Sequence, residues 1–130
     1  MTDAHRRVET YGEGGQVGFG FEELAWRLGD FAIVGAAARV TINAKKKFEY
    51  AALGITGLGA KAYRASGVEK ALRGKEASPK TIADAARHAA QGVEPLSDIH
   101  ASAEYRREMA IVYARRALET AVARATGSKA

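Results

Sequence analysis

The sequence contains 130 residues and no cysteine, and 20 basic against 15 acidic side chains give it a formal net charge of +5. A chain of this length can form one domain with a buried core that needs no disulfide cross-links. The missing thiols exclude disulfides, thiolate metal sites and cysteine nucleophiles from these residues. No stretch reaches the roughly 20 apolar residues of a membrane span, so we expect a soluble, cytoplasmic protein without a membrane partner.

The N-terminal part of the chain is dominated by glycine. The stretch YGEGGQVGFG has few large apolar side chains, which predicts a flexible tail over residues 1–19. Its glycine spacing gives no dinucleotide-binding fingerprint, and no predicted strand precedes it. The next segment, FEELAWRLGD, fits either a helix of at most two turns, because Phe21, Leu24 and Leu28 have helical spacing, or an irregular extended segment.

Two strands are predicted next. The segment FAIVGAAARVTIN is rich in β-branched residues and ends in the alternation of a half-buried strand, and FEYAALGITGLG is its return strand. The lysines between the two segments suit the solvated tip of a hairpin better than a binding site. Since two antiparallel strands are not stable alone, they need a third strand or a helical layer.

The second half of the chain is predicted to be helical. A first helix is predicted to begin with Ser66 as its N-cap, and a second follows the cap Ser78. The longest helix covers about residues 101–125 and is capped by Ser97 or Asp98. The pattern predicts an α+β fold, in which a small antiparallel β-sheet is followed by a three-helix bundle packed on one face of the sheet.

The sequence offers no self-contained catalytic or metal-binding arrangement. The three histidines, His5, His88 and His100, lie on different predicted elements without the close spacing of metal ligands. No serine lies in a nucleophile elbow, and no lysine lies in a phosphate loop. No catalytic residue is therefore assigned, and the sequence leaves open whether the chain is part of an enzyme.

Two pairs of consecutive arginines lie on the longest predicted helix. Each pair spans about 100° of helix, so Arg106, Arg107, Arg115 and Arg116 do not form one narrow basic stripe. A helix that reads DNA needs polar, base-contacting side chains between its arginines, whereas here Met109 and its neighbours favour burial. Arginines that border an apolar row cover the edge of the core and present a guanidinium outward. This arrangement favours a protein interface over nucleic acid or a membrane surface.

Three segments together resemble a known protein family. They are GDFAIVGAAARVTI, ALGITGLGAKAYRASGVEKALRGK and PLSDIHASAEYRREMAIVYARRALE, in that order. Over about residues 20–122 they resemble the C-terminal domain of the FAD-binding medium subunit of molybdenum hydroxylases, the group of carbon monoxide dehydrogenase and xanthine dehydrogenase. The resemblance implies an antiparallel sheet followed by a helical bundle, as the pattern of elements does. We therefore expect residues 20–126 to form the flavoprotein C-terminal-like domain and residues 127–130 to form a disordered C-terminus.

The resemblance also implies an electron-transfer context. In the family, the complete subunit holds FAD on two N-terminal subdomains, and the flavin receives electrons from a molybdenum centre through an iron–sulfur subunit. The phosphate-binding loops of those subdomains have no counterpart in this sequence, so we expect FAD only in complex with a flavin-binding partner. Asp30 and Ile33 lie in a stretch that resembles the segment approaching the flavin ring in full-length members of the family. Alternatively, Asp30 orients the turn before the strand and Ile33 belongs to the core.

The resemblance implies an accessory role in assembly. We expect the chain to mediate subunit contacts in a molybdenum hydroxylase-type complex, with flavin, iron–sulfur or molybdenum subunits or with a second copy of itself. The predicted interface residues are Arg27, Arg64, Tyr105, Arg106 and Arg107, because the planar guanidinium favours bidentate contacts with carboxylates. The alternatives are a separately encoded part of a split FAD-dependent electron-transfer subunit and a repurposed small binding module.

Overall fold

One antiparallel sheet and three helices account for the regular structure of the described residues. The computed structural model describes residues 9–11, 15–25, 32–59, 61–95, 97 and 102–127. The five strands follow one another across the sheet in chain order, and each neighbouring pair is antiparallel. The elements are β1 (Glu9–Tyr11), β2 (Gly15–Ala25), β3 (Ala32–Ile42), β4 (Phe48–Thr56), β5 (Tyr63–Arg64), α1 (Ser66–Leu72), α2 (Pro79–Ala86) and α3 (Ala103–Ala125).

The prediction of a flexible tail over residues 1–19 is wrong for much of this segment. Residues 9–11 and 15–19 belong to β1 and β2, and β2 pairs with β3 along ten residue positions. The extended alternative for the start of FEELAWRLGD is correct, because β2 continues to Ala25. The glycines lack side chains, but their main-chain N–H and C=O groups still form the hydrogen bonds that pair strands. A glycine-rich segment can therefore be a strand. Residues 1–8, 12–14 and 26–31 lie outside the described residues.

The predicted hairpin of β3 and β4 is confirmed. The side chain of Asn43 stabilises its tip, since Asn43 Oδ1 accepts hydrogen bonds from the main-chain N–H groups of Lys45 (2.9 Å) and Lys47 (3.1 Å). Lys46 has a φ of 64°, a conformation that a tight turn requires. All three lysines are exposed, as expected for a hairpin tip.

The three predicted helices are present, and their starts show which caps are used. Ser78 caps α2, because its Oγ accepts a hydrogen bond from Thr81 N (3.2 Å). Ser66 is not a cap but the first helical residue of α1, which follows Ala65. The cap of α3 is Ser102, whose Oγ accepts from Tyr105 N (3.1 Å), so the prediction of Ser97 or Asp98 is wrong.

A close approach between α3 and β2 sets the arrangement of the two layers. A Cβ atom at Gly18 would overlap the carbonyl oxygen of Ala121, and one at Gly20 would overlap that of Ala117. The helix presents fully buried alanines to the sheet, namely Ala110, Ala114, Ala117, Ala121 and Ala125. Because neither surface has bulky side chains at the contact, the two backbones lie against each other.

The larger apolar side chains lie beside this contact. They come from the helix-facing sides of β3 and β4 and from α1, where each of the following is less than 2% exposed: Val34, Val40, Phe48, Leu53, Ile55, Val68 and Leu72. Together with the alanines of α3 they form one continuous core. The predicted α+β fold, with helices on one face of an antiparallel sheet, is confirmed.

Tyr63 joins β5 to the helical layer. Its hydroxyl donates a 2.7 Å hydrogen bond to the carbonyl oxygen of Ala89, and the side chain is half-buried. Burial disfavours the phenolate and raises the pKa of Tyr63 to about 12. The neutral phenol is therefore the form that supports this contact.

Replacement of Gly18 with alanine should destabilise the fold by about 2 kcal/mol, because the added methyl group meets the main chain of α3 rather than a movable side chain. Urea unfolding followed by circular dichroism measures this change. The matched control is Gly54→Ala in β4, where a Cβ has only Tyr63 O at 3.9 Å and no clash. The control should change stability by less than about 1 kcal/mol; equal losses in both variants would contradict the close contact.

The titration of Tyr63 should make stability depend on pH in the alkaline range. The pKa of Tyr63 in the folded chain, about 12, lies above the ordinary value of about 10 for an unfolded chain. Its contribution is therefore fully present below pH 10 and is lost as the pH rises to about 12. Tyr63→Phe should cost about 1 kcal/mol at neutral pH and remove this dependence, as measured by urea unfolding at several pH values. The control Tyr105→Phe, which removes an exposed hydroxyl, should keep it.

Candidate interaction surface

The sheet has one face under the helices and a second face that carries several exposed side chains. Along β3 the residues alternate, so that Ala36 and Ala38 are buried while Ala37 and Arg39 are exposed. On β2, Gly18 and Gly20 face α3, which places Phe19 and Phe21 on the opposite side. We call this second side the open face. Its central side chains are Phe19, Phe21, Ala37, Arg39, Tyr50 and Ala52.

Strand register arranges these side chains in rows. Phe19, Arg39 and Ala52 lie opposite one another in one row, and Phe21, Ala37 and Gly54 form the next. Phe21 is 56% exposed, although an aromatic ring of this size gains most when buried. The row beyond Arg39 contains Val17 and Thr41, which are both buried, and Tyr50, which is half-buried, so the open face is less exposed there.

Arg39 lies between two aromatic rings at the centre of the open face. Its Cζ atom is 5.8 Å from the ring centroid of Phe19 and 5.4 Å from that of Tyr50. At these distances the ring electrons attract the cation and restrain its position. Within the described residues, no carboxylate lies at ion-pair distance from Arg39.

Arg64 has its charge balanced inside the chain. Its Nε and Nη2 atoms donate to the two carboxylate oxygens of Glu69, at 2.6 Å and 3.1 Å. Glu69 is buried, and its Oε2 also accepts from Leu53 N at 2.9 Å. The hydrogen bond to Glu69 raises the pKa of Arg64. This predicted interface residue therefore connects β5, α1 and β4 as well as presenting an exposed guanidinium.

The predicted interface residues of α3 have two different environments. Arg106 is 6% exposed, and its Nη1 donates a 2.9 Å hydrogen bond to Gly57 O, which attaches the start of the helix to the end of β4. Tyr105 is 44% exposed, and Arg107 is exposed as well. No hydrogen bond or ion pair within the described ranges joins Arg64 to Tyr105 or Arg107. The structure thus exposes Tyr105 and Arg107 on either side of the buried Arg106, about 200° apart around the helix, and joins neither of them to Arg64.

The structure does not test the roles predicted for Asp30 and Ile33 near a flavin or for Arg27 at an interface. Arg27 and Asp30 lie outside the described residues. Ile33 belongs to β3, close to the point where this strand pairs with the end of β2. Their predicted roles stay predictions.

The residues of the open face were not identified from the sequence. A signal was present, because Phe19 and Phe21 are two positions apart, as are Ala37 and Arg39, and this spacing places each pair on one side of a strand. Two local patterns hide this signal: the glycines before Phe19 favour a tail, and Phe21 has helical spacing with Leu24 and Leu28.

The chain also contains a groove between the β3–β4 hairpin, α2 and the last turns of α3. Its volume is about 410 Å³, and its lining includes Lys46, Ile82, Glu119 and Val122. The two phosphates of FAD need several cations or main-chain N–H donors, whereas this lining offers one lysine beside a carboxylate. The groove therefore does not fit FAD. It also lies at the end of β3 opposite to Ile33.

Two other kinds of site are absent from the part of the chain that the structure describes. No group of three or more histidine, aspartate or glutamate side chains there has the arrangement of a metal site. No helix there is both long enough and apolar enough to cross a lipid bilayer.

Comparison with known proteins identifies the family. Residues 19–121 match the sequence model of the CO dehydrogenase flavoprotein C-terminal domain. The chain belongs to this family. The resemblance to the C-terminal domain of the FAD-binding medium subunit of molybdenum hydroxylases is thereby confirmed.

Individual relatives agree with this family. The chain is 37% identical over 112 residues to the 6-hydroxypseudooxynicotine dehydrogenase complex subunit alpha of Paenarthrobacter nicotinovorans, with 86% of this chain and 38% of that protein covered. It is 34% identical over 108 residues to the carbon monoxide dehydrogenase medium chain of Afipia carboxidovorans, with 83% and 37% covered. The chain thus spans well under half the length of these curated relatives.

Solved structures show the same fold. The crystal structure of the Cu,Mo-CO dehydrogenase in its cyanide-inactivated form contains a chain that matches with a TM-score of 0.77 and 34% identity, covering 84% of this chain and 38% of that one. Carbon monoxide dehydrogenase from Hydrogenophaga pseudoflava, in a form that lacks the Mo-pyranopterin moiety of its cofactor, matches with a TM-score of 0.78 and 30% identity, covering 88% and 39%. The flavoprotein C-terminal domain therefore accounts for most of this chain.

Loss of the buried Glu69 carboxylate should cost more stability than replacement of its exposed partner, Arg64, by another cation. Glu69→Ala leaves Leu53 N–H without its acceptor, with an expected loss of about 2 kcal/mol. Arg64→Lys should cost about 1 kcal/mol or less, because a cation stays beside the buried carboxylate and the side chain is largely exposed to water. Urea unfolding of both variants measures the difference. An equal or larger loss for Arg64→Lys would contradict the anchoring role of Glu69.

Proposed function

We propose that this flavoprotein C-terminal domain is an accessory, assembly part of a molybdenum hydroxylase-type oxidoreductase complex in the cytoplasm. In this role it mediates contacts between subunits and has no complete FAD site of its own. The observation that carries the proposal is the family match over 38% of the length of a relative that is itself named as a subunit of a dehydrogenase complex. Its partners in the proposal are polypeptides that hold flavin, iron–sulfur clusters or molybdenum.

Exposed side chains at the start of α3 support the proposed contacts. Tyr105 and Arg107 present a large aromatic ring and a guanidinium to solvent within the first turns of the helix. Aromatic residues and arginine are enriched where proteins meet. Arg106, buried between them and bonded to Gly57 O, supports the helix from inside. We therefore assign the partner contact to Tyr105 and Arg107, with Arg64 and Arg27 as further candidates.

In this proposal, FAD is bound by a partner polypeptide and this chain only approaches it. The groove of this chain does not fit FAD, and the resemblance points to Asp30 and Ile33 as the residues that approach a flavin. Ile33 is the second residue of the long strand β3, and a strand is a rigid element that can hold a residue near a ring supplied by another polypeptide. FAD would then be bound mainly by that other polypeptide.

The alternative is a split flavin subunit. The chain spans 38% of its relatives' length, and in this alternative a separate polypeptide supplies the flavin-binding part. Mixing the chain with a flavin-binding polypeptide should then yield a yellow complex whose flavin absorbance co-elutes with both proteins. In the assembly role, the flavin-binding polypeptide is yellow with or without this chain.

Co-expression with candidate flavin, iron–sulfur and molybdenum subunits tests the proposed assembly. We expect a complex in size-exclusion chromatography with light scattering, and a Kd that rises about tenfold for Tyr105→Ala combined with Arg107→Ala. The control Lys80→Ala, which removes an exposed lysine paired with Asp84 on α2, should bind as the unmodified chain does. A chain that stays monomeric with every candidate subunit at micromolar concentration would overturn the proposal.

A further inference from the structure

We propose that the open face of the sheet is a docking site for a protein surface that presents a carboxylate among apolar side chains, and that Arg39 receives this carboxylate. This inference rests on the proposed assembly function and specifies a second contact surface for it, on the sheet rather than on α3. Four features of the described residues carry it: exposed rings, small neighbours, a restrained cation and the local charge.

The first two features make the open face a flat surface that suits burial. Phe21 is 56% exposed and lies in a row with Ala37, which has only a methyl group, and Gly54, which has no side chain, so neither covers its ring. The next row places Ala52 beside Arg39 and Phe19. An exposed aromatic residue among small ones offers a partner an apolar anchor without steric obstruction.

The third feature is the restraint on Arg39. The rings of Phe19 and Tyr50 hold its guanidinium at 5.8 Å and 5.4 Å. A guanidinium attracted to ring faces keeps five N–H donors, and these match the two oxygens of a carboxylate. Because the rings already restrict the side chain, less conformational freedom is lost when a partner binds.

The fourth feature is the charge at the centre of the open face. Arg64, in the same row as Gly54, is balanced by Glu69, whereas no carboxylate of the described residues lies at ion-pair distance from Arg39. One positive charge surrounded by apolar and aromatic groups is complementary to one negative charge in an apolar surface. The partner chemistry that fits is therefore an aspartate or glutamate flanked by apolar side chains.

Other occupants fit the open face less well. Single-stranded nucleic acid stacks on aromatic residues, but it also needs several cations along its phosphates, and the centre of the open face has one unbalanced cation. A second copy of the chain, packed face to face, would bring another Arg39 rather than a carboxylate towards the centre. These two occupants are outcomes that the experiment distinguishes.

The experiment uses the full chain and the subunits that form a complex with it under co-expression. Arg39→Gln should weaken the complex at least tenfold, and Arg39→Lys should restore only part of the loss, because lysine lacks the planar fork. Hydroxyl-radical footprinting of Phe21 and Tyr50 should show lower modification in the complex than in the free chain. The matched control is Arg73→Gln, which removes an exposed arginine just after α1 and should bind as the unmodified chain does.

The outcomes separate this inference from the assembly function. A complex that forms normally with Arg39→Gln, with Phe21 and Tyr50 equally modified in both states, overturns the docking site and leaves the assembly function intact. Failure of the unmodified chain to form any complex overturns both. Salt-dependent binding of single-stranded oligonucleotides, or self-association, that is abolished by Arg39→Gln would assign the open face to a different occupant and also overturn the inference.

Discussion

The contact between α3 and β2 is the constraint on which the rest of this structure depends. At Gly18 and Gly20 the strand has no side chains, and the main chain of α3 at Ala117 and Ala121 occupies the space that a Cβ would need. Atoms in a close-packed interior do not yield by this amount without a shift of the backbone. The position of α3 on the sheet therefore depends on the missing Cβ atoms of the two glycines. The larger apolar residues of β3, β4 and α1 fill the space beside this contact.

This arrangement divides the polar side chains into two groups. Glu69 and Arg106 are buried where helices meet β4 and the residue after it: Glu69 accepts a hydrogen bond from Leu53 N, and Arg106 donates one to Gly57 O. They connect the layers, because a buried charged group must find partners inside the chain. Arg39 and Arg107 are exposed outside the layers, and neither has an ion pair with another described residue. Residue type alone does not distinguish these roles, since both groups contain arginine.

Membership of the flavoprotein C-terminal domain family gives the exposed groups a context. The chain matches 38% of the length of its relatives, which are subunits or chains of larger dehydrogenases by name. Our proposals give the domain two separate contact surfaces, the start of α3 and the open face of the sheet. A domain that used both would hold two partner surfaces at a fixed relative position, because α3 and β2 pack without space for adjustment.

The sequence by itself determined the elements whose signals are local: the β3–β4 hairpin with its lysine tip, the Ser78 cap of α2, the long amphipathic α3, and through its motifs the family. Tertiary structure decided the rest. The strand that contains Gly18 is stabilised by pairing with β3 and by Ala121, about one hundred positions further along the chain, and no local pattern reports such contacts. The same contact sets the rotation of α3, which buries Arg106 and exposes Arg107. Helical periodicity places these neighbours about 100° apart but does not say which one faces inward.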